Sequence, residues 1–359
     1  MLEFALGAFL TAFLLAAVLT PLARRLALAA NLVAEVRPDR LHREPRPYGG
    51  GLALLASITI GLVPAVLWVE GWADVPRVAD VPGLRRLAIG AVLFFIIGLI
   101  DDRYALPALP KLFLQFAAAT VAVMGLGLKA TVWLTVPHAG EVVSILWIVA
   151  VVNAYNLLDH ADGLAAAVGF VAMAALGLGQ MVVAHDFPEP GPVVTVSVPA
   201  LAAAGALLGF LVYNFPPAKL FMGDAGSALI GYLLAALTMD ARYYFEGITP
   251  SRWVVLAPLA ILTVPLFDMV CVVFGRLARG RNPMVGDATS HLAHRMLARG
   301  VGPRAVVLFA AAMATLTGAA SVMMYHLRWP ALLAAWGIVA AALGMMLIAR
   351  RRPRTEASP

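Results

Sequence analysis

Charged residues and cysteine are both scarce in this chain, and each shortage limits what it can be. Of its 359 residues, 13% are charged and 62% are hydrophobic, with a mean hydropathy of +0.89. Soluble domains are about a quarter charged and about half apolar. The composition therefore excludes a soluble domain and predicts a polytopic membrane protein. The single cysteine, Cys271, excludes an internal disulfide and lies in an apolar run, where packing is its expected role.

Internal repeats, low-complexity tracts and a long polar tail are also missing. The first apolar run lacks a basic start and is followed by Arg24 and Arg25, which indicates a signal-anchor rather than a cleaved signal peptide. We therefore expect a single transmembrane domain over residues 1–350, followed by a short basic cytoplasmic tail over 351–359.

Long apolar runs predict an all-α fold of about 10–11 transmembrane helices. The predicted spans are 4–23, 52–69, 84–100, 111–128, 141–155, 163–184, 196–213, 227–239, 253–275, 304–326 and 331–349. Pro258 and Pro265 should kink or break the ninth span.

Basic residues are distributed unevenly between the links that join these spans. With eleven spans, 19 of the 26 Lys and Arg residues fall on one side of the membrane. The positive-inside rule makes that side cytoplasmic, with the N-terminus outside and the C-terminus inside. The same distribution explains the net charge of +6 by orientation and anionic lipid, so we exclude nucleic acid as a partner.

The segment Asn214 to Ser227, NFPPAKLFMGDAGS, interrupts two apolar runs on the predicted cytoplasmic side. Its two prolines bar a regular helix, and Ser227 is a plausible N-cap for the next one. A helix N-terminus suits phosphate, so a carboxylate beside it requires a divalent cation between itself and the anion. Asp224 is therefore the predicted Mg2+ ligand. The alternative is a polar turn between two membrane helices.

Two further groups of acidic side chains lie on the same side. Asp101 and Asp102 end the third span, where they oppose the helix dipole and repel each other. Either Arg103 offsets them, or a metal or a basic loop from elsewhere does, and we favour the second. Asn156, Asp159 and Asp162 would share one broad face of a helical turn. A polar pocket and simple solvation are both compatible with that pattern.

Two basic loops complete the predicted cytoplasmic face. The first carries His42, Arg43 and Arg46, which would form a phosphate clamp or contact anionic lipid. Residues 276–304 carry a short amphipathic helix with a polar group on one face: His291, His294 and Arg295. Two histidines at this spacing could bind zinc, but no cysteine or third histidine lies nearby in the sequence. Phosphate binding is favoured, with a solvated face as the alternative.

These motifs, taken in order, resemble the polyprenyl-phosphate N-acetylhexosamine-1-phosphate transferases, the glycosyltransferase 4 family. NLLDHADGLA, NFPPAKLFMGDAGS, the DD pair and HLAHR carry the resemblance over nearly the whole chain. It implies a Mg2+-dependent enzyme (Mn2+ is a substitute) of the inner, cytoplasmic membrane. The implied reaction moves a sugar 1-phosphate from a UDP-N-acetylhexosamine to undecaprenyl (polyprenyl) phosphate and releases UMP. This is the first membrane step of cell-envelope polysaccharide synthesis, and a homodimer is one option for the assembly.

The resemblance also implies roles for individual residues. Asp224 matches the Mg2+ ligand, and Asp101 matches a base toward the lipid phosphate, with Asp102 beside it. Asp159 and Asp162 match active-site positions. The remaining matches are nucleotide-sugar positions: Asn156, Asn214, Phe221, His291, His294 and Arg295.

The loop HREPRPYGGG resembles the branch of the family that uses UDP-GlcNAc rather than UDP-MurNAc-pentapeptide. Two departures bear on the sugar. His160-Ala161 replaces the usual Gly-Leu between the two aspartates, and Ala293 stands where a histidine is often found. The rival functions are a cation-coupled transporter, which predicts acids near the membrane midplane, and a scaffold without chemistry.

Overall fold

The computed structural model describes residues 2–34, 46–70, 82–130, 137–185, 193–244, 249, 251–282, 291–328 and 331–350. His42 and Arg43 lie outside these residues, so the predicted first-loop clamp is represented only by the backbone of Arg46. The described fold is all-helical apart from a two-residue ladder between β1, Val33–Ala34, and β2, Arg46–Pro47.

Most of the described residues belong to helices. They are α1 Leu2–Ala29, α2 Gly50–Glu70, α3 Pro82–Tyr104, α4 Ala108–Thr120, α5 Ala139–Leu158, α6 Leu164–His185, α7 Val198–Asn214, α8 Gly223–Asp240, α9 Ala257–Ile261, α10 Thr263–Leu277, α11 Leu292–Leu297, α12 Pro303–Met323 and α13 Ala331–Arg350. Short π-helical turns at Val121–Gly125 and Val193–Ser197 extend α4 and precede α7.

A helix lies at every predicted span, which confirms a multi-pass, all-α membrane fold. Among the described helices, eight are long and apolar enough to cross a bilayer, or nine if one bent pair counts as a span. That pair includes α9 and α10, and its two parts meet at an angle of 71°. This angle confirms the break predicted from Pro258 and Pro265. Its physical cause is that Pro265 has no N–H to donate to the preceding turn.

The buried centre of the bundle is α8, which packs against α2, α3 and α5. Every residue from Ala225 to Thr238 is buried. Around it, α1 packs on α7 through small residues, with an alanine-rich stripe facing inward and Leu10, Leu14 and Val18 facing outward. This is the arrangement expected in lipid, where helices associate by close backbone contact rather than by burying large apolar side chains.

Two glycines let the N-terminus of α8 approach its neighbours closely. A Cβ at Gly98 of α3 would overlap the carbonyl oxygen of Asp224. A Cβ at Gly51 of α2 would lie 2.6 Å from the backbone nitrogen of Gly226. The first turn of α8 is therefore held between the backbones of α2 and α3, and its position is set by backbone contact.

Ser227 does not cap α8, which corrects the N-cap prediction. The helix begins at Gly223, four residues earlier, where a φ of +74° turns the chain into the first helical turn. Ser227 is thus an interior position, and its hydroxyl donates to the carbonyl of Asp224 at 3.3 Å. The helix begins before the apolar run that follows Ser227, because contacts with other elements stabilise its polar first turn.

The contact between α3 and α8 leads to a prediction for Gly98→Ala. We expect the added methyl group to lower the free energy of unfolding by about 1–3 kcal/mol, the usual cost of overpacking. Gly344→Ala in α13 is the control, since a Cβ there would have no atom within 4 Å and alanine favours a helix. Thermal unfolding in detergent measures both variants. Equal midpoints for Gly98→Ala and the unchanged protein would contradict the close-packing account.

Candidate active site

Four helix ends bring the central group of polar side chains together. These are the end of α3 with Asp101 and Asp102, the start of α4 with Lys111, the end of α5 with Asn156, and the start of α8 with Asp224. The segments of irregular chain beside each end leave backbone groups without helical partners. The side chains below satisfy several of those groups.

The ammonium of Lys111 lies at the centre of this group. Its Nζ is 2.5 Å from Asp101 Oδ2 and 2.6 Å from Asp224 Oδ1, and it donates to Asn156 Oδ1 at 3.2 Å. Asn156 in turn donates through Nδ2 to Asp224 and to the Ser227 hydroxyl. One cation therefore joins acids from two helices that would otherwise repel each other.

Sequence reasoning missed Lys111 as a site residue. The signal that could have found it was its place as a cation in the short link after the paired aspartates, ten residues beyond Asp101. Arg103, the nearer cation in sequence, is exposed. The cation beside Asp101 is therefore a lysine side chain of the next helix, which is neither Arg103 nor the metal or basic loop that we favoured from the sequence.

Asp102 has a different environment from Asp101. Its two oxygens accept hydrogen bonds from the backbone N–H groups of Asp224 at 2.8 Å and Ala225 at 3.1 Å. A carboxylate at a helix N-terminus is stabilised by the helix dipole as well as by these bonds. The sequence predicts a substrate phosphate at this helix start. Two of its N–H groups are instead bonded by Asp102, which connects α8 to the end of α3.

Asp101, Asp224 and Asn156 present oxygen atoms suited to a hard divalent cation. When Asp101, Asp102 and Asp224 are ionised, Lys111 offsets one of the three negative charges and two remain. Mg2+ prefers carboxylate and amide oxygens and retains several waters, so it needs few protein ligands. The Asp224 side chain keeps 32% of its surface exposed, which leaves room for such a shell. The residues present therefore fit Mg2+.

A second group of contacts ties the loop after α5 to the loop before α8. Asn214 is buried, accepts from the Gly163 N–H at 3.1 Å and donates to the Leu220 carbonyl at 2.9 Å. Asp162 Oδ2 accepts from the Ala218 N–H at 2.9 Å. The structure thus places Asn214 and Asp162 as braces between two loops.

Asn156, Asp159 and Asp162 do not share a helical face, which corrects that expectation. α5 ends at Leu158, Asp159 is its C-cap, and the chain then turns through Gly163 at a φ of +72°. The chain leaves the helical conformation at Asp159, where ψ is 40°, four residues before this glycine. Asn156 therefore stays with the acids, while the turn that follows leads toward α10 and α11.

Phe221 lies where the end of the first loop joins this site. Its backbone pairs with Tyr48 in an isolated bridge, and its N–H donates to the Pro47 carbonyl at 3.1 Å. The centroids of the Tyr48 and Phe221 rings are 6.4 Å apart. The segment that follows Arg46 is thereby fixed beside the start of α8.

A histidine cluster lies beyond the turn after α5. The His160 ring is 4.1 Å from the His291 ring and 5.2 Å from the His294 ring, measured between centroids. Asp268 of α10 accepts from His291 Nδ1 at 2.7 Å and from the Leu292 N–H at 2.8 Å. Burial, together with the neighbouring His291, lowers the pKa of His160 to about 3, so its imidazole is neutral at physiological pH.

Arg295 is directed to a different partner. Its Nη1 donates to the Arg350 carbonyl at 3.3 Å, and Arg299 donates to the carbonyls of Ile348 and Ala349. These carbonyls end α13, where cations are favoured by unpaired acceptors and the dipole. The predicted face of α11 is therefore divided: its histidines face His160, and Arg295 donates to the end of α13.

Comparisons with known proteins agree with this picture. The glycosyl transferase family 4 model matches residues 84–242. The decaprenyl-phosphate N-acetylglucosaminephosphotransferase of Mycobacterium tuberculosis is 32% identical over 367 residues, covering 96% of this chain and 88% of that relative. Its Mycolicibacterium smegmatis counterpart is 33% identical over 321 residues, 83% of this chain and 77% of the relative. The undecaprenyl-phosphate alpha-N-acetylglucosaminyl 1-phosphate transferase of Salmonella typhimurium is 28% identical over 327 residues, 88% and 82% respectively.

The brace formed by Asn214 gives a stability prediction. Asn214→Leu leaves the Gly163 N–H and the Leu220 carbonyl without this partner, which should lower the free energy of unfolding by about 2–4 kcal/mol. Thr315→Val is the control, because the Thr315 hydroxyl is exposed and bonds only within its own helix. Thermal unfolding in detergent would show the difference. A midpoint for Asn214→Leu equal to that of the control would mean that the two loops are held by other contacts.

Proposed function

This chain is a member of glycosyl transferase family 4, and we propose that it transfers N-acetylglucosamine 1-phosphate from UDP-N-acetylglucosamine to a polyprenyl phosphate, releasing UMP. The observation that carries the proposal is the Lys111 cluster, which consists of Asp101, Asp102, Lys111, Asn156 and Asp224. It is an oxygen-rich cation site at the end of a membrane bundle. The names of the relatives support the acceptor class and the sugar.

The reaction joins two anions, so charge neutralisation is the main requirement. An oxygen of the acceptor phosphate forms a bond to the sugar-bearing phosphorus, and the bond from that phosphorus to the bridging oxygen breaks. UMP leaves with that oxygen. Phosphoryl transfer depends mostly on positioning and electrostatic stabilisation. An acceptor with a lipid tail also requires that these groups lie at a membrane face, as helix ends do.

Asp224, Asp101 and the Asn156 amide oxygen would hold Mg2+, or Mn2+ in its place. The ion would neutralise charge on the donor pyrophosphate when bound. Lys111 bridges the two carboxylates and supplies a further positive charge. Asp101 would orient or deprotonate the acceptor phosphate. Asp102, with both oxygens occupied by N–H groups, positions α8 rather than serving as a ligand.

The donor would extend from the acidic cluster to the histidine cluster. The last turn of α5 links the two, because Asn156 belongs to the first and His160 follows four residues later. We assign His291 and His294 to the pyrophosphate and sugar, and the segment around Phe221 to the nucleoside. From the distribution of basic residues, the site faces the cytoplasm, with the N-terminus outside.

A cation-coupled transporter is less well supported. It requires acids near the middle of the membrane. Here Asp101 lies three residues from the end of α3, and Asp224 is the second residue of α8.

Asp224→Asn tests the proposal. Purified protein is given UDP-GlcNAc, polyprenyl phosphate and Mg2+, and UMP release is measured. We expect the variant to lose about 10²–10³-fold in rate, as for loss of a transition-state electrostatic contact. Chelation of divalent cations should abolish activity in the unchanged protein. Glu141→Gln, at the other end of α5 in an exposed pair with Lys129, is the matched control. Absence of UMP with every UDP-sugar tried would refute the transferase proposal.

Lys111→Met distinguishes the contribution of the Lys111 ammonium from that of the proposed Mg2+ ion. Removal of the ammonium should lower the rate by at least about 10-fold, since Lys111 also neutralises substrate charge. The same change should reduce the Mg2+ concentration needed for half-saturation, because a competing positive charge beside Asp224 is gone. Lys129→Met is the control, as Lys129 pairs with Glu141 away from the cluster. An unchanged Mg2+ requirement would show that Lys111 and the ion do not share these carboxylates.

A further inference from the structure

A large cavity lies at the end of the bundle opposite the candidate active site. Its volume is about 940 Å3, and its lining includes Arg86 and Asp240. Arg86 lies near the start of α3, whose other end carries Asp101. Asp240 ends α8, and about 24 Å of helix, at 1.5 Å per residue, separates it from Asp224. The cavity is therefore distinct from the transfer site, and on the proposed topology it belongs to the outer face of the membrane.

Part of the cavity wall is apolar and continues onto the lipid-facing surface. The apolar lining comes from α5, from α8 and from the segment that includes α9: Val143, Trp147, Met239, Val255 and Leu259. Val143 and Leu259 are 41% and 42% exposed at the surface of the bundle. A ligand that fits this cavity therefore carries hydrocarbon as well as a polar group.

The polar lining has a surplus of positive charge. Among the described residues, its charged members are three cations and one acid: Arg86, Lys129, Arg242 and Asp240. Arg86 donates to both oxygens of Asp240, at 2.6 and 3.2 Å, and Lys129 pairs with Glu141 at 2.7 Å. These two pairs are neutral, so Arg242 gives the described lining one net positive charge.

The backbone at Arg242 is held by a buried amide. Its N–H donates to Gln180 Oε1 at 3.0 Å, and its carbonyl accepts from Gln180 Nε2 at 3.1 Å. Gln180 is fully buried. The guanidinium of Arg242 is therefore carried on a fixed backbone at the edge of the cavity.

Tyr243, the next residue, also lines the cavity. Its ring stacks on that of Tyr325, with 5.8 Å between centroids. Its hydroxyl is buried and has no hydrogen-bond partner among the described residues. A buried hydroxyl in this state has lost its bond to water and gained none in return, so it favours a ligand with an acceptor oxygen.

We propose that this cavity binds the headgroup of a phosphodiester lipid with one negative charge, of the phosphatidylglycerol class. Arg242 pairs with the phosphate, since guanidinium groups bind phosphate oxygens through two hydrogen bonds. The Tyr243 hydroxyl donates to an oxygen of the same headgroup. The acyl chains lie against the wall that carries Val143 and Leu259 and continue into the bilayer.

Charge and shape together select this class of ligand. A single negative charge balances the surplus of the described lining, whereas a zwitterionic lipid supplies none. Inorganic phosphate leaves the apolar wall uncovered. A polyprenyl phosphate is a phosphate monoester and carries a charge of about −1.5 to −2 at pH 7. The inference does not rest on the transfer reaction, because lipid binding is measured without a UDP-sugar.

Native mass spectrometry of the full-length protein tests the proposal. Delipidated protein in detergent is titrated with phosphatidylglycerol or with phosphatidylcholine of the same acyl chains, and bound lipid is counted. We expect one phosphatidylglycerol to bind about fivefold more tightly, which is the contribution of one Arg near an anionic lipid. Arg242→Gln should remove this preference, and equal affinities in the unchanged protein would overturn the proposal.

Arg328→Gln is the matched control. Arg328 is exposed, follows Tyr325 at the same face and lies outside the described lining. Its variant should keep the preference for phosphatidylglycerol. If Arg242→Gln and Arg328→Gln bind this lipid equally well, the assignment of Arg242 is wrong.

Tyr243→Phe is an independent variant that keeps the stacked ring and removes only the hydroxyl. We expect phosphatidylglycerol to bind about two- to tenfold more weakly, the contribution of one hydrogen bond. The melting temperature of the lipid-free protein should not fall, because no described partner is lost. Unchanged lipid affinity would contradict the headgroup contact.

Two further titrations distinguish the source of the phosphate. Inorganic phosphate in large excess, at constant ionic strength, should not displace phosphatidylglycerol. Polyprenyl phosphate also binds the proposed transfer site, so only the binding that Arg242→Gln removes is counted. Displacement by inorganic phosphate, or an Arg242-dependent preference for polyprenyl phosphate over phosphatidylglycerol, would overturn the assignment to a phosphodiester lipid.

Discussion

The carboxylate of Asp102 holds the start of α8 against the end of α3, and the candidate active site depends on this contact. Both of its oxygens accept backbone N–H groups from the first turn of α8. Gly98 and Gly51 allow the backbones to meet there. The consequence is that Asp224, in that first turn, is held within reach of Lys111 and Asn156. The N-terminus of α8 is thereby held in place by contacts with α2 and α3.

Charge balance then determines how the site is arranged. Two adjacent aspartates at the end of α3 have different partners: Asp102 accepts two N–H groups from the first turn of α8, and Asp101 pairs with the ammonium of Lys111. The cluster as a whole remains acidic, so it can bind a divalent cation. That cation can then bind the anionic substrates at the same site. Asp102 therefore positions α8, whereas Asp101 faces the proposed substrates.

The packing of the bundle also fixes the position of the first turn of α8. Alanine and glycine on α1 and α7 let these helices approach closely, and the leucines of α1 face outward. In lipid, such close backbone contact contributes to helix association. The buried centre α8 is surrounded on several sides, so its first turn cannot shift without moving α2 or α3.

Much of the fold follows from local sequence alone. Apolar run length predicts the helices, proline predicts the break between α9 and α10, and the motif order indicates the family, because each of these depends on neighbouring residues or on residue identity. Asp101, Asn156 and Asp224 are likewise recognisable as polar groups at helix ends. Two local predictions are wrong, the N-cap at Ser227 and the helical face that includes Asp162, because distant groups stabilise earlier or later helix boundaries.

Only the tertiary structure decided which groups meet. Lys111 pairs with Asp224, which lies 113 residues further along the chain. His160 likewise meets His291 and Asp268, although both lie more than a hundred residues after it. Arg295 turns to the end of α13 rather than to the site. Periodicity specifies which face of a helix is polar, but charge pairing depends on through-space distances of a few ångströms. Those distances are set by how the helices pack, which no single stretch of sequence contains.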